Sequence, residues 1–126
     1  MIAYHPIDCG ASWDSDWCDL RSINMESGAF EWVVERADVR NVTVNFYCDV
    51  IVRILDEIAL STEISPDELS GLVSHHFAYE VEGDAFFAAQ SEVWRTLNPG
   101  AKHYRFITGN WCLDVIASNP PSFLIR

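Results

Sequence analysis

Alternating or strand-forming residues occupy several stretches of this chain and predict a set of β-strands. These stretches are residues 1–8, 29–36, 42–46, 103–108, 111–117 and 123–125. In the clearest of them, Phe30, Trp32 and Val34 fall on one side of the strand. Gly109–Asn110 predicts a two-residue turn that joins the two long C-terminal stretches into a hairpin. The pairing that the sequence indicates best is therefore antiparallel.

Three longer stretches repeat their apolar residues at helical spacing. The first covers residues 46–60, and the third covers residues 84–97 after a break at Gly83. The second covers residues 65–77 and begins with Ser65–Glu68, which has a capping serine, a proline at the first helical position and a glutamate that completes a capping box. Each stretch is predicted to form an α-helix.

Residues 10–28 give the least definite pattern. Trp13 and Trp17 are four residues apart, so they would share one face of a helix that Ser12 or Asp14 caps. Together, the elements predict an α+β fold in which about three helices pack on one face of a small, mainly antiparallel sheet of roughly 3–5 strands.

The chain has 126 residues, of which 49% are apolar and 13% aromatic. A chain of this length buries roughly 65–70% of its unfolded surface, so we expect a single globular domain over residues 1–126. No apolar run approaches the roughly 18 residues of a membrane span, and residues 1–20 lack the features of a signal peptide. We therefore expect a cytoplasmic protein whose four cysteines are reduced, and a disulfide between Cys9 and Cys18 is the alternative.

Acidic residues are unevenly placed along the chain. Residues 54–94 hold nine of the 19 acidic residues and no Lys or Arg, within a formal charge of −11. Such a domain should repel nucleic acid and anionic membranes, and a uniformly acidic surface would steer a cationic partner toward it. Residues 95–126 have the opposite balance, and we expect their basic residues to pair with carboxylates within the fold or in a homodimer. These basic residues are Arg95, Lys102, Arg105 and Arg126.

A second acidic cluster lies near the N-terminus, where Asp14, Asp16 and Asp19 flank Trp17. Tryptophan is enriched among the residues that anchor protein interfaces, and carboxylates around it would suit Lys or Arg of a partner. The alternative is that the tryptophans pack on the core while the aspartates are solvated. Residues 80–84 lie between two predicted helices and form a second candidate site, because loops carry binding residues more often than helices and strands do.

Catalytic and metal-binding patterns are weak in this sequence. His103, Cys112 and Asp114 lie on the predicted hairpin and resemble a cysteine nucleophile with its partners, but Cys112 lies in an apolar run, where a thiol is inert. His75–His76 has no partners at metal-ligand spacing. We therefore predict no catalytic residues, no metal site and no cofactor. The alternative is a small enzyme or ligand-binding domain with a pocket near His103 and Cys112.

In composition the chain resembles small acidic inhibitors of basic enzymes, such as bacterial toxin-immunity proteins and phage-encoded inhibitors that mimic the charge of nucleic acid. The resemblance is one of charge and matches no particular residues, so it implies no site. We predict an acidic cytosolic protein that neutralises a basic protein partner by occlusion, with an immunity protein against a bacterial nuclease toxin as the leading case. The residues predicted to bind the partner are Asp14, Asp16, Trp17, Asp19, Glu80, Glu82 and Asp84.

Overall fold

A computed structural model of the protein describes residues 1–35, 41–56 and 69–126. The strands in these segments are β1 (Ile2–Pro6), β2 (Cys18–Asn24), β3 (Ala29–Val34), β4 (Asn41–Asn45), β5 (Val50–Asp56), β6 (Leu69–Ser70), β7 (Ala78–Glu82), β8 (Lys102–Phe106), β9 (Trp111–Ala117) and β10 (Ser122–Ile125). The helices are a 3-10 helix (Ser15–Trp17), α1 (Ala85–Ala88) and α2 (Glu92–Leu97). Neither α-helix is long and apolar enough to cross a membrane, and no other helix of the described segments is either.

The strands form two sheets that pack face to face. Six strands are ordered β5-β9-β8-β7-β1-β6, and four are ordered β10-β4-β3-β2. Neighbouring strands are antiparallel, except that β1 and β6 are parallel. The main core lies between the sheets, where Trp32 of the four-stranded sheet packs on Phe106 of the six-stranded sheet with ring centroids 5.0 Å apart. The burial of such aromatic rings is the largest apolar contribution to this core.

The six-stranded sheet also buries side chains on its second face. Tyr4, Tyr79, Val81 and Cys112 belong to a smaller apolar cluster there. Helix α1 lies against the same face, since its Phe86 ring meets the ring of His103 edge to face at 5.5 Å. The sheet is therefore covered on both faces over part of its width.

The predicted fold of three helices on a small sheet is wrong, because the described segments are mostly strand. Residues 50–56 of the first predicted helix form β5, and residues 57–60 lie outside the described residues. This stretch is rich in β-branched residues, which favour strands. It contributes to both faces of a doubly covered sheet, so its apolar residues do not alternate with polar ones as in a half-exposed strand.

The second predicted helix also fails in its described part. Residues 65–68 lie outside the described residues, Leu69–Ser70 is the short strand β6, and residues 71–77 have no regular structure. Gly71 has a φ of +93° and lies against the carbonyl group of Tyr4, where a Cβ atom would overlap the carbonyl oxygen. The glycine thus permits a close crossing of two backbone segments at a point where a helix was expected.

The third predicted helix is two short helices. Asp84 caps α1, close to the predicted start, but Ser91 caps a separate helix α2 three residues after α1 ends. Val93 and Leu97 are apolar residues of this stretch, but they are 70% and 74% exposed and do not form the buried face of a helix. The helix predicted over part of residues 10–28 is only the 3-10 turn, followed directly by β2. The predicted strands at both ends of the chain and the Gly109–Asn110 hairpin connection are confirmed.

The burial of two tryptophans provides a test of this fold. Trp32 is 0% exposed between the sheets, whereas Trp17 is 52% exposed. We expect Trp32→Ala to lower the free energy of unfolding by about 3–5 kcal/mol, because it leaves a cavity in the core. The matched variant Trp17→Ala should change it by less than about 0.5 kcal/mol. Urea titration followed by circular dichroism measures both values, and equal losses would contradict the described packing.

Candidate functional site

The seven residues predicted to bind a partner are divided by the structure between opposite ends of strand β8. Asp14, Asp16, Trp17 and Asp19 lie beside the loop that joins β8 to β9. In that loop the N–H of Gly109 donates to the Cys18 carbonyl at 2.9 Å, and a side chain at Gly109 would collide with the Asp16 carbonyl.

The second group lies at the other end, because β7 runs antiparallel to β8 and its C-terminal residue, Glu82, follows the Val81–His103 pair. Asp84 comes two residues later, before α1. The two groups are therefore separated by the length of β8, roughly 15 Å at about 3.3 Å per residue.

Exposed aromatic and acidic side chains share the end of the sandwich near loop 107–110. Trp17 is 52% exposed, Trp111 45% and Ile54 46%. Ile54 and Trp111 line a shallow groove of about 410 Å³ together with Leu20 and Arg21 of β2, and Arg21 pairs with Glu31 of β3 at 3.8 Å. We call this region the tryptophan surface, and it consists of Asp14, Asp16, Trp17, Asp19, Leu20, Ile54 and Trp111.

Loop 107–110 connects the two sheets at this surface through the side chain of Asn110. Its Oδ1 accepts a hydrogen bond from the N–H of Leu20 at 2.9 Å, and its Nδ2 donates to the carbonyl of Leu20 at 3.1 Å. The amide of Asn110 therefore pairs with edge strand β2 as a neighbouring strand would. This contact holds Trp111 next to β2.

The carboxylates of the tryptophan surface have no basic partner among the described residues. None of the ion pairs in the described segments involves Asp14, Asp16 or Asp19. Asp14 accepts a hydrogen bond from the N–H of Asp16 at 3.0 Å and so caps the 3-10 turn. Asp16 and Asp19 are exposed. Within residues 1–35, 41–56 and 69–126, no Lys or Arg neutralises these three carboxylates, which flank Trp17 in the sequence.

The acidic residues of the second group are paired within the fold. Lys102 Nζ lies 3.2 Å from Glu80 Oε1, and His5 Nε2 lies 3.4 Å from Glu82 Oε1. Asp84 is buried, so its side chain cannot reach a partner in this conformation. Glu57, Glu63, Asp67 and Glu68 of the acidic stretch lie outside the described residues. The described part of residues 54–94 thus does not present its carboxylates as one unpaired surface.

A network of buried charged groups lies on the second face of the six-stranded sheet and centres on Asp114. Its Oδ1 accepts hydrogen bonds from His103 Nε2 and Arg105 Nε, both at 2.7 Å. Its Oδ2 accepts from Arg53 Nε at 3.0 Å and Nη2 at 2.8 Å. The carboxylate is 0% exposed and receives four hydrogen bonds from charged or polar donors. Such saturation offsets the cost of burying a charge.

Arg105 extends the network to two further elements. Its Nη1 donates to Tyr4 Oη of β1 at 2.7 Å, and its Nη2 donates to Asp84 Oδ2 at 3.0 Å. Asp84 Oδ1 in turn accepts from the N–H of Phe86 at 2.8 Å and begins helix α1. We call Arg53, Asp84, His103, Arg105 and Asp114 the buried ion-pair network. It joins β5, β8, β9 and the start of α1, and Tyr4 adds β1.

The network stabilises the ionised form of Asp114. Burial alone would raise the pKa of this carboxyl, but the hydrogen bond from His103 and the positive charge of Arg105 outweigh it and lower the pKa to about 2. Burial likewise opposes the charge of Arg105, yet the nearby Asp114 carboxylate keeps its pKa above the usual value. Both groups are therefore charged at neutral pH.

The sequence patterns do not indicate this network, although the expected pairing of the C-terminal basic residues within the fold is confirmed for Lys102 and Arg105. The predicted hairpin nevertheless implies one contact of the network. A two-residue turn at Gly109–Asn110 places Arg105 directly opposite Asp114, and this is the observed register. The position of Arg53 opposite Asp114 was not predicted, because residues 46–60, which include β5, were expected to form a helix.

The alternative site near His103 and Cys112 is only partly assembled. His103 lines a pocket of about 250 Å³ between β7, β8 and α1, together with Phe87 of α1. Cys112 is buried in the small apolar cluster instead. The described cysteines form no disulfide bond, including Cys9 and Cys18, which are both buried. Burial raises the pKa of the Cys18 thiol to about 12, so it is protonated at neutral pH.

Comparisons with known proteins give no relative of this chain. It matches no protein-family model, no curated protein and no solved structure. Within the described residues, no group of three or more His, Cys, Asp or Glu side chains is arranged to hold a metal ion.

Removing the central carboxylate should destabilise the protein strongly. In Asp114→Asn the side chain keeps its shape, but the buried Arg105 and the partly exposed Arg53 lose their shared counterion. We expect the free energy of unfolding to fall by about 3–5 kcal/mol, as for other buried pairs that lose one partner. The exposed variant Asp16→Asn is the control and should lie within about 0.5 kcal/mol of the wild type. Urea titration at neutral pH measures both, and a similar small change in both variants would contradict the network.

The stabilising effect of Asp114 should also depend on pH. Its pKa is about 2 in the folded protein, below the ordinary 3.8, so its stabilisation is complete above the ordinary value and is lost as the pH falls toward 2. We expect the difference in unfolding free energy between the wild type and Asp114→Asn to shrink by about 2 kcal/mol between pH 5 and pH 2. The wild type and the variant share all other carboxyl groups, so the contributions of those groups to the pH dependence cancel in the difference. A constant difference over this range would contradict the assigned pKa.

Proposed function

We propose that this protein binds a basic protein through the tryptophan surface and neutralises it by covering its active surface. The observation that carries this proposal is an exposed Trp17 flanked by Asp14, Asp16 and Asp19, which have no basic partner among the described residues. Tryptophan supplies apolar contact area at the centre of an interface. The carboxylates supply the field that steers a cationic partner toward it.

The groove between β2 and Trp111, at the same end of the sandwich, supports the same proposal. Ile54 and Trp111 are about half exposed and lie next to Leu20, so apolar area is concentrated at this end of the sandwich. A stable interface covers about 800 Å² on each partner. An apolar centre with a charged rim is the arrangement that such interfaces have.

The class of partner is inferred from charge. A nuclease active site receives phosphate groups, and the carboxylates of the tryptophan surface would occupy positions that phosphates normally take. An immunity protein against a nuclease toxin is therefore the function that we propose. Glu80, Glu82 and Asp84 are left out of the proposed interface, because Glu80 and Glu82 have partners within the fold and Asp84 is buried.

The proposal is tested first by identifying the partner. The whole chain is immobilised and exposed to a lysate of the source cell at low salt, and retained proteins are identified by mass spectrometry. We expect a basic protein that elutes as salt rises, because exposed charges are screened over about 10 Å at 0.1 M salt. A control variant with Glu26 and Glu92 reversed must retain the same protein. Variants with Asp16 and Asp19 reversed, or with Trp17→Ala, must lose it. Retention of the same proteins by all variants would contradict the proposal.

Charge reversal should slow the encounter with the captured partner. We expect Asp16→Lys with Asp19→Lys to lower the association rate and to flatten its dependence on salt. The control reverses Glu26 and Glu92, which are exposed and lie away from the tryptophan surface, so the net charge changes by the same amount. Surface plasmon resonance at several salt concentrations measures the rates. Equal effects of both double variants would assign the binding to net charge rather than to this surface.

Replacement of Trp17 by alanine should weaken the complex more than it slows its formation. We expect Trp17→Ala to raise the Kd by about 30-fold, which corresponds to about 2 kcal/mol for an interface anchor. The effect should lie mainly in the dissociation rate. The variant is expected to stay folded because Trp17 is half exposed. An unchanged Kd would remove Trp17 from the interface.

A further inference from the structure

Strand β10 (Ser122–Ile125) lies at one edge of the four-stranded sheet, which is ordered β10-β4-β3-β2. It pairs with β4 on its inner side, and no strand of the described segments pairs with it on the outer side. An edge strand keeps one row of backbone N–H and C=O groups without strand partners. The outer side of β10 is therefore a place where a further strand fits.

The backbone groups that point outward from β10 follow from its pairing with β4. Arg126 and Asn41 exchange both of their N–H···O=C bonds, at 2.9 and 3.1 Å. In an antiparallel ladder, such pairs alternate with pairs that exchange no hydrogen bonds. The register of β10 on β4 places Phe123 and Ile125 in the second kind of pair. Their N–H and C=O groups therefore point away from β4, toward the outer side.

The side chains of β10 point alternately to the two faces of the sheet. Phe123 and Ile125 pack against the main core. Leu124 lies between them, so its side chain points to the outer face, where it is 49% exposed. A strand added at this edge would cover apolar surface of Leu124 as well as the backbone groups of its two neighbours.

The edge formed by β10 carries no carboxylate, although the chain has a formal charge of −11. Residues 115–126 contain no Asp or Glu, and the neighbouring strand β4 has no charged side chain. Exposed charges are screened beyond about 10 Å at 0.1 M salt, so the carboxylates nearest to a contact decide how closely two acidic surfaces approach. A second copy of this chain meets no carboxylate on β10 or β4, whereas a basic protein has none here to bind. The local charge thus favours a second copy as the occupant.

The sequence of β10 is complementary to itself around Leu124. When two copies pair antiparallel with Leu124 on the two-fold axis, Phe123 of each copy lies opposite Ile125 of the other. These are the residues with outward backbone groups, so each such pair exchanges both of its N–H···O=C bonds. Ser122 then faces Arg126 of the other copy, and no like charges lie opposite one another. The two Leu124 side chains meet on the outer face of the sheet.

We propose that two copies of this protein form a dimer by antiparallel pairing of their β10 strands around Leu124. The four-stranded sheets of both copies then form one continuous sheet. A pairing centred on Phe123 would be weaker, because it places Pro121, which has no N–H, opposite Ile125. Both copies use the same surface, so the assembly closes at two chains.

The dimer does not involve the proposed protein interface. The tryptophan surface includes Leu20 of β2, at the opposite edge of the sheet and roughly 14 Å from β10 at about 4.8 Å per strand. The pairing of two short strands covers less than the about 800 Å² per partner of a standard interface. We therefore expect a reversible dimer with a Kd on the order of 100 µM.

Sedimentation velocity over a series of protein concentrations tests the dimer directly. We expect the mean mass to rise reversibly from that of one chain toward that of two, with no larger species. A protein that stays monomeric up to about 1 mM, or that grows beyond two chains, would overturn the proposal. In the first case the edge would be left to a strand of a different protein.

Variants at Leu124 test the two-fold register. We expect Leu124→Lys to raise the Kd of the dimer about tenfold, because an apolar contact is lost and two like charges face each other across the axis. Leu97→Lys makes the same change at an exposed residue of α2, outside both sheets, and should leave the Kd unchanged. A mixture of Leu124→Lys and Leu124→Glu chains should dimerise more tightly than either variant alone, because opposite charges then meet. Equal effects of Leu124→Lys and Leu97→Lys, or no gain on mixing, would overturn the proposal.

Amide hydrogen exchange identifies the backbone groups that pair. We expect the amides of Phe123 and Ile125 to exchange more slowly at concentrations above the Kd than below it, because they are hydrogen-bonded only in the dimer. The Leu124 amide already bonds to β4 in a single copy, so its exchange should change little. Dimerisation without slower exchange at Phe123 and Ile125 would place the contact elsewhere and overturn the proposal. The proposed binding through the tryptophan surface would be unaffected by that result.

Discussion

The carboxylate of Asp114 is the constraint on which the second face of the six-stranded sheet depends. It accepts hydrogen bonds from strands β5 and β8 while itself lying on β9, so three neighbouring strands share one buried anion. A shift of one residue in either strand pairing would turn Asp114 or Arg105 toward the apolar core between the sheets. The cost of a buried unpaired charge is several kcal/mol, so the network restricts the sheet to one register.

The strands with one exposed face were predictable from the sequence because their apolar and polar residues alternate. Strand β5 was not, since the sheet around it is covered on both faces and its β-branched residues repeat at spacings that a helix also allows. The Ser65–Glu68 capping box lies outside the described residues, and Gly71 ends the short strand that follows. Local patterns therefore identified several strands, including the buried hairpin of β8 and β9, but failed at the edge strand β5.

The candidate sites show why a run of acidic residues in sequence is a poor guide to surface charge. Glu80 contacts Lys102 and Glu82 contacts His5, while Asp84, two positions further, is inside the protein as a helix cap and an arginine partner. Asp14, Asp16 and Asp19 are also three carboxylates, but none of them pairs with Lys or Arg in the described segments. Trp17 and its three aspartates lie within six positions of the sequence, so their proximity was predictable, whereas the pocket beside His103 required the position of α1.

The side chain of Asn110 should limit the self-association of this protein at high concentration. Strand β2 is an outer strand of the four-stranded sheet, and outer strands with free N–H and C=O groups serve as templates for another chain to add to. One amide side chain covers both backbone groups of Leu20, and the register shift at Leu20/Ser22 twists the strand at the same point. Because the side chain of Asn110 occupies these backbone groups, it opposes the edge-to-edge association of β2 with strands of other copies.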